Sequence, residues 1–279
     1  MLTAFLKIYL AAVLGFGTPT VNAGHWFFVK SGVSYVTDAK SYEFIPASST
    51  SLNCGDIDAI DITAGNAWSA CFYYKTDVVT STLTTIMGKM VGSGTFRGWV
   101  IYEQSALLRF FVVDNVTGSL YHEVSVTGYY AATNTWYHTC ITRGTANSAT
   151  DISMYRDGSG VTETVVTNGT VTTSTNSVAM IMGARFETPQ DFADGHLTWV
   201  SFYNDELTSG EVSELADLTS GPVDPRSVAS SANLVYFAPL GELTDTLDSA
   251  NGTTDLVGST TCNDTNMTNA THLSGDIPS

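Results

Sequence analysis

AWSACFYYKT, residues 67–76, is the stretch from which the fold can be read. Trp68, Ala70, Phe72 and Tyr74 fall on one face at period two, as a strand with one face against a core requires. Outward from it the pattern repeats. TTIMGKM (84–90), GWVIYEQ (98–104), LLRFFVVDN (107–115), SLYHEVSV (119–126), TWYHTCITR (135–143), DISMYRDG (151–158), VAMIMGARF (178–186) and GHLTWVSFYN (195–204) are short apolar-rich runs separated by turn residues. Strands spaced this way predict an all-β sandwich or barrel. The sequence TETVVTNGTVTTS (162–174) places Asn168-Gly169 between β-branched runs, which predicts a hairpin. Upstream, SLNCGD (51–56) and AIDITAG (59–65) lead into the decisive strand.

One segment departs from strand character. In LTSGEVSELADL (207–218), Ser209 is placed to cap a short helix, with Val212, Leu215 and Leu218 on one side. Beyond Gly221-Pro222, NLVYFAPLG (233–241) reads as one further strand returning to the sandwich. The reading divides the chain into residues 1–23, a β-rich extension at 24–45, the main domain at 46–241 and a polar tail at 242–279. The tail is rich in Asn, Thr, Ser and Gly and is expected to lie loosely on the surface.

The chain has 279 residues, 43% of them hydrophobic and only 14% charged. Its polar surface must therefore be built from Ser, Thr, Asn and Gly, which favours strands and turns. The net charge of -16 repels phosphate and argues against a nucleic-acid partner. Residues 1–23 carry Lys7, an apolar run from Ile8 to Phe16 and Val21-Asn22-Ala23. They read either as a signal peptide cut before Gly24 or as a docking segment. The apolar run is too short to span a bilayer. Sequons occur at Asn115, Asn168, Asn251, Asn263, Asn266 and Asn269.

The four cysteines, Cys54, Cys71, Cys140 and Cys262, lack the paired spacing of a zinc site. Cys71 and Cys140 lie in apolar runs where a free thiol packs as a small hydrophobe; two disulfides can form but are not demanded, since a large sandwich does not need staples.

The order of these motifs, from AWSACFYYKT through NTWYHTCITR, ISMYRDG and IMGAR to FADGHLTWVSFYNDELTSGEV, resembles the LamG-like jelly roll of the concanavalin A-like lectin/glucanase superfamily over residues 43–218. The resemblance implies a two-sheet antiparallel jelly-roll sandwich with one short closing helix and extensions at both ends. It also implies where to look for ligands. Glucanases of the superfamily carry a Glu-x-Asp-x-x-Glu run for acid/base and nucleophile roles. No such run occurs, and no catalytic residue is assigned. Asp56, Asp58 and Asp61 suit turns and caps, while His25, His122, His138, His196 and His272 are scattered. The acidic calcium segment of pentraxin relatives corresponds here to MGARFETPQDFADG (182–195). That segment keeps Glu187, Asp191 and Asp194 but has Arg185 where an acid belongs. Three loop oxygens could hold calcium as a cofactor; the alternative is a solvated loop capping its own turns. Tyr129-Tyr130 in a loop could stack on sugars or pack inside the core.

Two functions are expected. One is a non-enzymatic, surface-displayed module that contacts glycans or a protein partner through its loops, secreted or extracellular. The other is a structural virion protein whose termini dock on neighbouring virion subunits. A homo-oligomer is compatible with either.

Overall fold

The computed structural model describes residues 28–30, 33–35, 40–218, 222–241, 253, 255–258 and 260–278. The expected leader at 1–23, His25 and the Asn251 sequon lie outside them. The described chain begins with a separate antiparallel pair, β1 (Phe28–Lys30) and β2 (Val33–Tyr35). It continues through β3 (Ser41–Phe44), β4 (Ser51–Asn53), β5 (Trp68–Thr76), β6 (Thr84–Met90), β7 (Gly98–Gln104), β8 (Leu107–Asn115) and β9 (Leu120–Val126). Next come β10 (Tyr137–Arg143), β11 (Ile152–Arg156), β12 (Ser159–Gly160), β13 (Thr164–Asn168), β14 (Ile181–Met182) and β15 (Gly195–Tyr203). The helix α1 (Ser209–Leu215), β16 (Leu234–Ala238), β17 (Asn263–Thr265), α2 (Asn269–His272) and β18 (Leu273–Ser274) complete it.

Two antiparallel sheets face each other, as the strand pattern predicts. Sheet one runs β12-β11-β10-β5-β15-β3-β18, with β16 also on β15; sheet two runs β13-β9-β8-β7-β6-β14-β4-β17. The alternation in β5 does what period two demands. Trp68, Ala70, Phe72 and Tyr74 join the main core between the sheets, while Cys71 and Tyr73 join a second apolar cluster on the outer side of sheet one. At the centre Trp68 stacks on Phe110, ring centroids 5.4 Å apart, and contacts Trp99 and Phe202. The indole N–H groups of Trp68 and Trp99 both donate to the Ile60 carbonyl, at 3.2 and 3.0 Å. Two buried donors are thus satisfied by one acceptor with two lone pairs.

The edge of β15 is shared. Its first half pairs with β3 and its second half with β16, and a bulge between Thr198 and Ser201 separates them. Trp199 sits in the bulge with φ 55°. The Thr198 hydroxyl lies 2.9 Å from the Lys40 carbonyl and 2.7 Å from that of Pro239, bridging the two neighbours. The helix α1 packs Val212 and Leu215 inward as expected. Its cap is Thr208 rather than Ser209: Thr208 and Glu211 form a reciprocal capping box, which uses two otherwise orphaned backbone donors.

Two expectations are corrected and one open alternative is resolved. Asn168-Gly169 does not turn a hairpin. β13 pairs with β9, and Gly169 stays against that strand, donating its N–H to the Tyr121 carbonyl. A Cβ at Gly169 would lie 2.2 Å from the Ser119 carbonyl oxygen, so glycine serves close approach there rather than a turn. The cysteines are not free: Cys54 bonds Cys262, and Cys71 bonds Cys140, its direct cross-strand partner on β10. Residues 263–265 and 273–274 of the polar C-terminal segment do not trail over the surface. β17 extends sheet two along β4, and β18 extends sheet one along β3.

Candidate functional site

The inward face of sheet two is spent on the core, so its outward residues define a surface. On β7, β8 and β9 the half-buried ones include Tyr102, Arg109, Phe111, Tyr121 and Glu123, while Val100 and Val113 on the same side are buried in a cluster with Phe186. The register sets them in adjoining rows: Tyr102 opposes Arg109, Arg109 opposes Ser125, Phe111 opposes Glu123, and Val113 opposes Tyr121. Phe111 and Tyr121 meet with ring centroids 4.9 Å apart. Arg109 Nη1 donates to Glu123 Oε1 at 2.6 Å, and the Tyr102 hydroxyl donates to the same oxygen at 3.0 Å. Burial and the neighbouring Glu123 charge raise the Tyr102 phenol, so it remains a neutral donor.

The result is a polar knot of Arg, Glu and Tyr beside two aromatic rings, held on three consecutive strands. Rigid rings offer flat apolar faces, and the Arg–Glu pair offers fixed donors and acceptors beside them. This surface was not singled out from the sequence. The signal was present in the alternation of IYEQ and LRFF, which sends Tyr102, Arg109 and Phe111 to the side away from Trp99, Ile101 and Phe110.

The expected ligand residues are placed differently. Tyr129 and Tyr130 are fully buried. The Tyr129 hydroxyl donates to the Tyr155 carbonyl at 2.6 Å, and that of Tyr130 bonds Thr139 Oγ1 at 2.9 Å. Their rings pack edge to face on each other, and that of Tyr130 also on Tyr74, leaving no face for a sugar. A Tyr-Tyr pair after a glycine looks like a loop tip in sequence; here apolar burial pulls it beneath the sheet.

Glu187, Asp191 and Asp194 are not gathered into a cation site. Glu187 accepts the Ala179 N–H at 2.9 Å, and Asp191 pairs with Arg185 at 2.6 Å. The arginine standing in an acid's place neutralises one of the three. Asp194 lies instead toward Asp77 and Glu43. Burial raises its carboxyl first, and those two charges raise it further. Among the described residues the one group of three acid or histidine side chains whose ligand atoms lie within 4.8 Å of one another is Glu43, Asp77 and His196. Lys75 Nζ, 3.9 Å from Asp77 Oδ1, already brings a positive charge to it. Of the other histidines, His138 is buried beside Tyr73, and burial holds its pKa down to about 3; His122 bonds the Gly169 carbonyl at 2.9 Å.

A two-sheet antiparallel sandwich with these strands defines the jelly-roll class. Residues 48–213 match the laminin G family model of the concanavalin A-like lectin/glucanases superfamily, and the chain belongs to that superfamily. Among curated proteins none matches the sequence. Among solved structures, a Bacteroides ovatus protein named for a proposed carbohydrate-binding role is similar at 14% identity and a TM-score of 0.55, covering 88% of this chain and 68% of its own. NanB sialidase from Streptococcus pneumoniae, as its K499G mutant, is similar at 18% identity and a TM-score of 0.46, over 62% of this chain and 27% of that one. CBM40 of the Ruminococcus gnavus IT-sialidase gives 12% identity and a TM-score of 0.46, over 63% of this chain and 98% of that one. At these identities the likeness establishes the fold alone.

Proposed function

We propose that this chain is a non-catalytic glycan-binding module whose platform is the outward face of β7, β8 and β9 rather than its loops. The observation that carries the reading is the Arg109–Glu123–Tyr102 knot set beside the Phe111–Tyr121 ring pair. Sugars present apolar C–H faces and hydroxyl edges, and this surface offers a counterpart to each. Arg109 meets Glu123 through Nη1, and its side chain stays 24% exposed, so the outer end of its fork can meet an incoming oxygen. Carbohydrate binding is also the role for which the Bacteroides ovatus neighbour is named. Two disulfides fit display in an oxidising, extracellular setting.

The virion reading relied on both extensions docking on neighbouring subunits. Residues 263–274 are used on this chain's own two sheets, which removes half of that argument.

A glycan array probed with the whole chain, followed by calorimetry on the best binder, tests the platform. Arg109→Ala and Tyr121→Ala should each weaken binding about tenfold or more, the scale of one charge-assisted hydrogen bond or one aromatic contact. If no glycan binds, or if both variants bind like the parent, the reading fails.

A further inference from the structure

Away from that platform, on the outward side of sheet one, Asp276 is held by three side chains from three separate elements. Its Oδ2 accepts from Lys75 Nζ on β5. Its Oδ1 accepts from the Trp136 indole N–H, just ahead of β10, at 2.9 Å. Its main-chain carbonyl accepts from the Ser41 hydroxyl on β3 at 2.6 Å. Each carboxylate oxygen thus has its own donor.

Lys75 is the unusual member. Its side chain is only 6% exposed, although it carries a full charge. An ammonium withdrawn from water to that degree needs an anion close by, and Asp77 stands off at 3.9 Å. The Trp136 ring, half-buried, lies 5.8 Å from Lys75 Nζ and edge-on to His196. The surroundings favour the ionised carboxylate. Burial alone would raise Asp276, but the bonds from Lys75 and Trp136 and the fields of Lys75 and His196 overcome this and lower it.

The anion is supplied by a slender part of the fold. β18 adds only two residue pairs to β3, Leu273 with Tyr42 and Ser274 with Ser41, before the chain reaches Asp276. The Asp276 side chain is 47% exposed on its far side, so solvent reaches the carboxylate where it sits. The receptor side, by contrast, is built on β5 and β3 in the body of sheet one.

We propose that Lys75 and Trp136 form a carboxylate-binding site that the chain's own Asp276 occupies, with Ser41 anchoring the main chain of that residue, and that the site accepts a small carboxylate ligand once the segment after β18 lifts away. The segment acts as a tethered competitor. It sets how much free carboxylate is needed to enter, and the half-exposed Trp136 ring lets an acidic sugar gain a contact that a simple organic acid lacks.

The test follows the Trp136 indole N–H signal by NMR in the full chain, titrated with acetate, glucuronate and glucose. In Asp276→Ala, acetate and glucuronate should move that signal with half-saturation about tenfold or more below the wild-type value, the scale of one charge-assisted bond. Glucose should leave it unmoved, and Lys75→Met/Asp276→Ala should respond to neither acid. Tighter binding of glucuronate than acetate identifies an acidic sugar as the source, and equal binding identifies the carboxylate alone. Either result upholds the site. If Asp276→Ala does not fold, Asp276→Asn, which keeps the shape and loses the charge, is read in the same way. A folded variant that binds the acids no better than the wild type overturns the proposal and leaves Asp276 as a structural ion pair. The Arg109 and Tyr121 variants should leave all of these titrations unchanged, which separates this site from the platform on sheet two.

Discussion

Cys262 is bonded to Cys54 across 208 positions of sequence, and the bond ties the start of β17 to the end of β4. Cys71 and Cys140 close a loop of 69. A cross-link stabilises largely by restricting the unfolded chain, and the restriction grows with the logarithm of the loop. Cys54→Ser/Cys262→Ser should therefore lower the unfolding free energy by roughly 3–5 kcal/mol, and Cys71→Ser/Cys140→Ser by about 1 kcal/mol less. Guanidinium melts of the two double variants decide the order.

Glu103 on β7 should make stability fall as pH rises. Burial is the main cause that lifts its carboxyl from 4.5 to about 7; the Thr76 hydroxyl offsets part of this and the Asp194 charge adds to it. Below about 4.5 the group is neutral in both folded and unfolded chains. Between there and about 7 the unfolded chain ionises first, so stability is lost, and the loss is complete above the folded value. A shift of this size corresponds to about 3 kcal/mol. Glu103→Gln should flatten the slope between pH 5 and 8 in melts across that range, and an unchanged slope would refute the assignment.

Lys89, fully buried on β6, bonds Asp61 at 2.7 Å, Asp56 at 2.8 Å and the Asn176 carbonyl at 2.9 Å. Lys89→Met leaves the Asp61 carboxylate buried without its cation and should cost about 3–5 kcal/mol. Adding Asp61→Asn should recover part of that loss, and a double-mutant cycle in urea would measure the coupling.

The two classes of tyrosine should separate cleanly. Tyr130→Phe removes the bond to Thr139 inside the core and should cost about 1 kcal/mol without touching ligand binding. Tyr121→Ala should do the reverse, weakening glycan binding while shifting the melting temperature little. Paired melts and calorimetry check both.

Much of the fold could be read from period two. The alternation in β5 named its inward residues, and the order of strands with the short helix at its end defined the superfamily. The sequence could not show which side of a sheet meets solvent once both sides carry apolar residues. For that reason Tyr102, Phe111 and Tyr121 looked like ordinary strand residues, while Tyr129 and Tyr130 looked available because a pair after Gly128 reads as a loop tip. Nor could it show that a polar tail folds back. Asn, Thr and Ser at 263–274 promise little burial, and what fixes them is a remote cysteine and backbone pairing with β3 and β4, neither of which has a local signature. Arg185 was the exception: the sequence already shows an arginine where an acid belongs, and in the structure it pairs with Asp191.

The shared edge of β15 has a consequence for synthesis. As the chain leaves the ribosome, β15 can pair with β5 along its length, yet the opposite edge of its second half stays unpaired until β16 emerges some thirty residues behind it. The nascent sandwich therefore exposes an open strand edge during that interval. A stop or a nick between α1 and β16 would leave that edge permanently open, a ready template for pairing with another chain.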